Sequence, residues 1–169
     1  MKRVFWICLV FSLPGLAEAA EDRGSAELIL SGAEVSVSFG RPELKGRDIL
    51  SLARPGMVWR LGMNKATLLS SSTDLDFAGV RIPKGEYSLF AKKRGEDDWV
   101  LLVHSNTGLW GTSGYDPAND VAEIPLLFAR TQDSEESLSI RLEKQSETKA
   151  QLVVQWGDTQ LRTAFQIAQ

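Results

Sequence analysis

Apolar and polar residues alternate along much of the chain, and this period of two limits the possible fold more than any other feature. The alternation is regular in four segments, residues 35–39, 138–143, 152–156 and 161–167. It is typical of strands with one buried face and one solvent face. No segment sustains the 3.6-residue period of an amphipathic helix. The sequence therefore predicts an all-β protein.

Two further runs are apolar on both faces. They read "YSLFA" from Tyr87 and "WVLLVH" from Trp99. A short apolar run without alternation is expected for a strand that is covered on both sides. We predict that these two runs form central strands.

Turn-forming residues separate the predicted strands. They cluster at 83–85, 94–98 and 131–136, and Gly157 with Asp158 has the composition of a two-residue hairpin turn. About nine short strands at this spacing are typical of a sandwich or barrel. We predict an antiparallel β-sandwich, jelly-roll-like or Greek-key.

One helical turn is also expected, because Asp116 is a good N-cap and Pro117 a good first helical residue. No internal repeat, low-complexity tract or linker divides the sequence. We therefore predict that residues 20–169 form a single domain.

The first residues have the pattern of a cleaved secretory signal. Lys2 and Arg3 precede an apolar run over 4–13, and Ala17-Glu18-Ala19 fits the small-x-small cleavage rule. The apolar run of about ten residues is half of the roughly 20 that a membrane-spanning helix needs. We predict a signal peptide at 1–19, no transmembrane segment, and export to the periplasm or the extracellular space.

The numbers of cysteine and histidine residues exclude several kinds of catalytic and metal site from the mature chain. The single cysteine, Cys8, lies within the predicted signal, so disulfides, thiolate nucleophiles and cysteine metal sites are excluded. The single histidine, His104, excludes sites that need two imidazoles. We predict no metal site and no cofactor.

Net charge argues against nucleic acid as a partner. The chain has 19 Lys and Arg against 22 Asp and Glu, a net charge of -3. Nucleic-acid binding requires a basic face. The partners that remain are a small polar ligand, a glycan or another protein.

Several separate motifs resemble one family. They are "FGRPELKGRDIL" from Phe39, "VWRLGMN" from Val58, "IPKGEYSLF" from Ile82, "WG" at Trp110 and "VVQWGDTQL" from Val153. In this order they are similar to the exported bacterial family called domain of unknown function 2911. The resemblance runs from about Val35 to the C-terminus and implies an all-β exported domain, without an activity.

The second motif departs from the pattern usual in that family, Trp-Arg-Thr-Gly-Ala-Asn-Glu. Leu61, Met63 and Lys65 stand here in place of threonine, alanine and glutamate. The departure argues against a chemical role for those three positions.

The motif "VWRLGMN" has a structural and a functional interpretation. In the first, Trp59 packs in the core, Asn64 serves the backbone, and Arg60 pairs with an internal acid. In the second, Arg60 and Asn64 fix an anionic or polyhydroxylated ligand, with Arg41 as a second arm. We expect Trp59 to be structural and the internal pair to be the main role of Arg60.

The segment that begins at His104 carries the remaining candidates. Trp110 and Tyr115 lie in a glycine-rich loop, where aromatic rings can stack on a ligand or cover the end of the fold. His104 would be a base if Ser105, Ser113 or Asp116 lay within reach, although their spacing matches no nucleophile elbow.

Two functions therefore remain. The first is a non-catalytic exported binding module with Arg41, Arg60, Asn64, His104, Trp110 and Tyr115 as candidate ligand contacts. The alternative is a hydrolase that uses His104 with a nearby serine or carboxylate. One observation distinguishes them, namely whether a hydroxyl or carboxylate lies within hydrogen-bond reach of His104 at the floor of a cleft.

Overall fold

The computed structural model describes residues 23–48 and 52–168, and nearly all regular structure in it is β. The strands are β1 Arg23–Leu30, β2 Ala33–Gly40, β3 Val58–Arg60, β4 Thr67–Ser71, β5 Leu75–Phe77, β6 Val80–Ile82, β7 Gly85–Lys93, β8 Trp99–His104, β9 Asp120–Lys144 and β10 Lys149–Ile167. The predicted all-β, antiparallel, single-domain fold is confirmed. The predicted signal peptide, residues 1–19, lies outside the described residues.

Nine strands follow one another across the sheet in the order β1-β2-β4-β7-β8-β9-β10-β5-β6, and every pairing is antiparallel. β3 pairs with β7 on the same edge as β4. β4 takes residues 85–89 of β7 and β3 takes 90–92. The segment 61–66 is therefore a loop that interrupts one long partner strand of β7.

The sheet folds over into two layers because β9 changes partner along its length. Its first part, 120–126, pairs with β8, and the part from 127 onwards pairs with β10. Both layers contribute to one buried apolar cluster. Each of the four alternating segments contributes a residue to it: Val37, Ile140, Val154 and Phe165.

A short segment after β2 joins the two layers. Pro42 accepts a backbone hydrogen bond of 3.0 Å from Leu138, and the Leu44 N–H donates to the Glu136 carbonyl at 2.6 Å. We call residues 41–48 the strap. The strap fixes the end of β2 against the middle of β9.

The predicted central strands are confirmed. All six residues of β8 are buried. The face of β7 and β8 that points away from the main core is covered by residues 105–116, which we call the cover loop. A second, smaller cluster lies beneath it: Ala66, Phe90, Val100, Leu102 and Leu109, with Val58 and Tyr115 packed against them.

The predicted hairpin turn at Gly157 and Asp158 is wrong. β10 runs straight through these residues, and the turn between β9 and β10 spans 145–148. Gly157 has a φ of +60°, and residues 131–134 of β9 bulge opposite Asp158. Glycine and aspartate suit a bulge as well as a turn, so local composition did not distinguish the two.

Two smaller predictions are confirmed. A 3₁₀ helix spans Pro117–Asn119, and the Asp116 side chain caps it by accepting a 3.0 Å hydrogen bond from the Ala118 N–H. The cluster at 94–98 forms the turn between β7 and β8. Within the described residues, no helix has both the length and the apolar character that crossing a membrane requires.

Candidate functional site

The motif "VWRLGMN" places alternate residues of β3 on opposite faces. Trp59 points into the main core, where its ring stacks on Trp156 with centroids 5.8 Å apart and planes 17° apart. It also meets Trp99 at 6.1 Å in a tilted arrangement. These contacts join residues of both layers and fit the structural role expected of Trp59.

The loop 61–66 is held by the close approach of two backbone segments. A Cβ on Gly40 would lie 2.2 Å from the Met63 carbonyl oxygen, so only glycine fits there. Asn64 has a φ of +61°, a conformation that asparagine tolerates better than most residues. The loop explains Gly40 and Asn64 by backbone geometry alone.

Arg60 lies on the face opposite Trp59 and is exposed. Its chain covers Gly111, since a Cβ there would lie 3.2 Å from Nη1 of Arg60. Within the described residues, its guanidinium has no salt bridge and no hydrogen bond to an acid. The expected internal pair is wrong because register places Arg60 opposite Phe90, away from the main core.

A cleft of about 190 Å³ opens beside Arg60 at one end of the two layers. Trp59 enters it from the first layer and Trp156 from the second. Its described lining residues are Pro42, Arg47, Leu52, Trp59, Arg60, Gly62, Met63 and Trp156. Two of them are arginines and none is acidic, so this cleft is suited to an anion.

Arg47 is the second cation of the cleft, and it is fixed in place. Its Nε donates to the Leu44 carbonyl at 2.9 Å and its Nη2 to the Glu43 carbonyl at 2.5 Å. Its guanidinium lies 5.4 Å from the centroid of the Trp156 ring. The strap thus holds a positive charge over an indole face.

A larger groove of about 420 Å³ lies elsewhere, on the outer face of β1, β2 and β4. Its lining contains Glu27, Glu34 and several serines, without a basic residue among those described. Its described lining has two acidic side chains but no aromatic residue beside them. We therefore place the candidate site in the cleft beside Arg60.

His104 does not face a cleft. It is 0% exposed, and its Nδ1 lies 3.1 Å from the Asn106 amide, which can only donate. Nε2 must then carry the proton and donate to the Asp116 carbonyl at 3.1 Å. Both nitrogens contact backbone groups at the two ends of the cover loop, and we call His104 the latch of this loop.

Tyr115 is partly buried and packs against His104. Its ring meets Phe90 edge-on at 5.2 Å and His104 at 5.2 Å, and its hydroxyl donates to Asp120. Burial raises the pKa of Tyr115, and the hydrogen bond to Asp120 raises it further. Tyr115 therefore holds the cover loop in place.

Trp110 is an exposed aromatic residue of the cover loop, with 54% of its surface accessible. Its backbone bridges to Lys65, and the Ala66 N–H donates to the Leu109 carbonyl at 2.9 Å. The cover loop and the loop 61–66 thus meet beside Arg60, and Trp110 lies at that junction.

Of the predicted residues, Arg60 lines the cleft, while Asn64 and Trp110 lie next to it. The side chain of Arg41 packs against Gly24 of β1 instead, and Arg41 is not among the residues that line the cleft. His104 and Tyr115 lie beneath the cover loop. Sequence reasoning missed Arg47 and Trp156, although both belong to motifs that it singled out.

A family model described as "Protein of unknown function (DUF2911)" matches residues 22–165. The chain belongs to this family. No curated protein and no solved structure matches the sequence. The family match spans all the described residues that line the cleft.

The three residues that depart from the usual pattern of the family lie in different surroundings. Leu61 is 1% exposed and fills the main core, while Lys65 is exposed. Met63 lines the cleft next to Gly62. Within the described residues, no three histidine, aspartate or glutamate side chains are grouped so that they could hold a metal ion.

Proposed function

We propose that this member of the DUF2911 family is an exported, non-catalytic binding module whose cleft holds a small anionic ligand, with Arg60 as its main contact. Export rests on the pattern of residues 1–19 and leads to the periplasm or the extracellular space. Among the small polar ligands, glycans and protein partners left open by the sequence, the cleft favours a small anion.

The observation that carries this proposal is that, within the described residues, Arg60 has no acid partner and the cleft beside it has no acidic lining residue. Several other arginines of this acidic chain are paired with acids, for example Arg81 with Asp74 at 2.7 Å, Arg130 with Asp158 at 2.5 Å and Arg141 with Glu135 at 2.7 Å, although none of these lines the cleft. Arg60 has no such pair among the described residues. Its planar guanidinium is suited to hold a carboxylate or a phosphate through two hydrogen bonds.

Several residues around the cleft are held in place by contacts within the protein itself. Trp59 and Trp156 stack on each other, Arg47 is tied to strap carbonyls, and Gly40 fixes the neighbouring loop. A preformed site loses little conformational freedom on binding. This arrangement supports binding of a defined small molecule.

The lining chemistry supports binding without catalysis. The described lining residues include no serine, threonine, histidine, lysine, tyrosine or acid. Side-chain nucleophiles and general bases at neutral pH come mainly from these types and from cysteine, and the described residues contain no cysteine. His104, the base of the alternative hydrolase, is committed to backbone groups.

The test is a binding titration with two matched variants. Arg60→Met should bind carboxylates and phosphate about tenfold to a hundredfold more weakly than the wild type, as expected for a lost charge-assisted hydrogen bond. Arg162→Met is the control, because Arg162 is also exposed but lies outside the cleft. Calorimetry with acetate, glucuronate and phosphate, and with glucose as the neutral probe, measures the affinities.

Both variants should unfold at nearly the wild-type temperature, since neither arginine has an ion pair among the described residues. Equal anion affinity in the wild type and Arg60→Met would refute the proposal. So would equal weakening in Arg60→Met and Arg162→Met, because the effect would then be one of net charge.

A further inference from the structure

A second cleft adjoins the first, and the two share Arg47 and Trp156. It has a volume of about 300 Å³. Its described lining residues are Leu44, Arg47, Asp48, Ser134, Trp156, Gly157 and Asp158. The bulge of β9 supplies Ser134, so the unpredicted irregularity of β9 and β10 shapes this cleft.

The two volumes indicate how the clefts are used. Ligand pockets commonly have volumes of about 300–1,000 Å³. The first cleft, at about 190 Å³, is below this range, and the second, at about 300 Å³, is at its lower limit. Together the clefts lie within the range. A ligand that spans both would run past Arg47.

The two clefts differ in chemistry. The first offers a guanidinium and apolar walls. The second offers hydrogen-bond acceptors, namely the carboxylates of Asp48 and Asp158 and the hydroxyl of Ser134. Asp158 is already paired with Arg130 at 2.5 Å, so its charge is compensated. It is therefore better suited to accept hydrogen bonds from hydroxyl groups than to hold a second cation.

The aromatic faces of the cleft are occupied. Trp59 and Trp156 stack on each other, and Arg47 lies over the Trp156 ring. Recognition in the cleft must therefore come from polar groups and from the edges of the rings. A ligand with a carboxylate at one end and several hydroxyls at the other meets these conditions.

We infer that the ligand is an acidic saccharide of at least two units. Its carboxylate binds Arg60 in the first cleft, Arg47 contacts the linkage between units, and hydroxyls of the next unit donate to Asp158 and Ser134. This inference rests on the proposed anion site and adds the class and the length of the ligand.

The test compares three probes by calorimetry. The first is glucuronate, and the second is an acidic disaccharide in which glucuronate is linked to a neutral hexose. The third is the matched neutral disaccharide, in which a hydroxymethyl group replaces the carboxylate. The acidic disaccharide should bind at least about tenfold more tightly than glucuronate, and the neutral disaccharide at least about tenfold more weakly than the acidic one.

Two variants in the second cleft locate the added affinity. Asp158→Asn and Ser134→Ala should each reduce the advantage of the disaccharide over glucuronate, and leave the affinity for glucuronate within about twofold of the wild type. Asp97→Asn, at the exposed turn between β7 and β8, is the control and should change neither affinity.

The outcomes separate this inference from the proposed function. If glucuronate and the disaccharide bind equally and both depend on Arg60, the saccharide inference fails and the anion site stands. If acetate or phosphate binds in an Arg60-dependent way and neither glucuronate nor the acidic disaccharide does, the saccharide inference also fails and the anion site stands. If no anion depends on Arg60, both proposals fail.

Discussion

Two loops meet beside Arg60, and they are held in different ways. The loop 61–66 is fixed by its own backbone, which packs on Gly40 so closely that a Cβ would lie 2.2 Å from a carbonyl oxygen. The cover loop, 105–116, is held by side chains, through the His104 latch and the ring of Tyr115.

The difference shows which of the two loops beside Arg60 can move. Backbone-to-backbone packing has no flexible part that can adjust, because interiors are close-packed. A loop held by a few hydrogen bonds and a small cluster can open while the main core stays folded. Arg60 therefore lies between the fixed loop 61–66 and the cover loop, whose local free energy of opening we expect to be lower than that of the main core.

The largest loss of stability is expected when the packing of the loop 61–66 on Gly40 is disrupted. Gly40→Ala places a methyl group against the Met63 backbone and should lower the free energy of unfolding by about 3 kcal/mol, at the upper end for overpacking. Urea unfolding followed by circular dichroism measures the loss. It also shows whether unfolding remains a single transition.

Gly32→Ala is the matched control for this change. Gly32 has a φ of +83°, and no other atom lies within 4 Å of the site of its Cβ. It should lose only about 1 kcal/mol from backbone strain. Equal losses at Gly40 and Gly32 would show that the loop 61–66 is not held by this contact.

A smaller effect is expected when the latch of the cover loop is removed. His104→Phe keeps a ring in the buried site but leaves the Asn106 N–H and the Asp116 carbonyl without their partner. The loss should be about 2 kcal/mol, in the range for buried polar groups left unsatisfied.

Hydrogen exchange distinguishes a local loss from a global one. In His104→Phe, the backbone amides of the cover loop should exchange faster than in the wild type. The amides of β10 should exchange only as fast as the lower global stability of the variant requires. Equal acceleration across the domain would mean that the cover loop and the main core unfold together.

A smaller effect is expected in the pH dependence of the free energy of unfolding, which should reflect the partial burial of Tyr115. Its pKa is raised in the folded state, so above its ordinary value of 10.0 the unfolded chain loses the phenolic proton first. Stability from this group is complete below about pH 10 and falls as the pH rises further. Unfolding free energies at about pH 9 and about pH 11 measure the slope.

Tyr115→Phe should show a shallower decline over the same interval. Part of the slope should remain, because burial also raises the pKa of Tyr87. If the wild type and Tyr115→Phe decline in parallel, the phenol of Tyr115 is solvated and the cover loop is open in solution.

The smallest effect on stability, but a selective one on binding, is expected at Gly111. Gly111→Ala and Gly114→Ala both add a methyl group at positive φ, +57° and +78°, and should each lose about 1 kcal/mol. Only Gly111 abuts Arg60, so only Gly111→Ala should weaken anion binding. Calorimetry with glucuronate tests this, and equal affinities would show that Gly111 does not position Arg60.

Much of the fold could be predicted because its signals are local. Alternation identified the strand faces of Val37 and Val154, and the run from Trp99 identified a strand that is buried on both sides. Asp116 and Pro117 identified the 3₁₀ helix. In each case, residues close in sequence determine the outcome.

The site could be predicted only in part. Arg60 was identified from its motif, but its predicted acid partner was wrong, because the register of β3 against β7 decides which face it occupies. Arg47 and Trp156 were missed as a pair. They are far apart in sequence and meet only when the strap crosses from β2 to β9.

By itself, the sequence determined that this chain forms antiparallel strands around one core, because the period of two leaves no other way to bury its apolar residues. Tertiary structure decided that Gly157 lies within a bulged strand and not at a turn, since the same residues suit both. It also decided that His104 is a latch and Arg60 is accessible. Those roles depend on which strand, loop or backbone group lies opposite, and that is fixed only when distant segments pack.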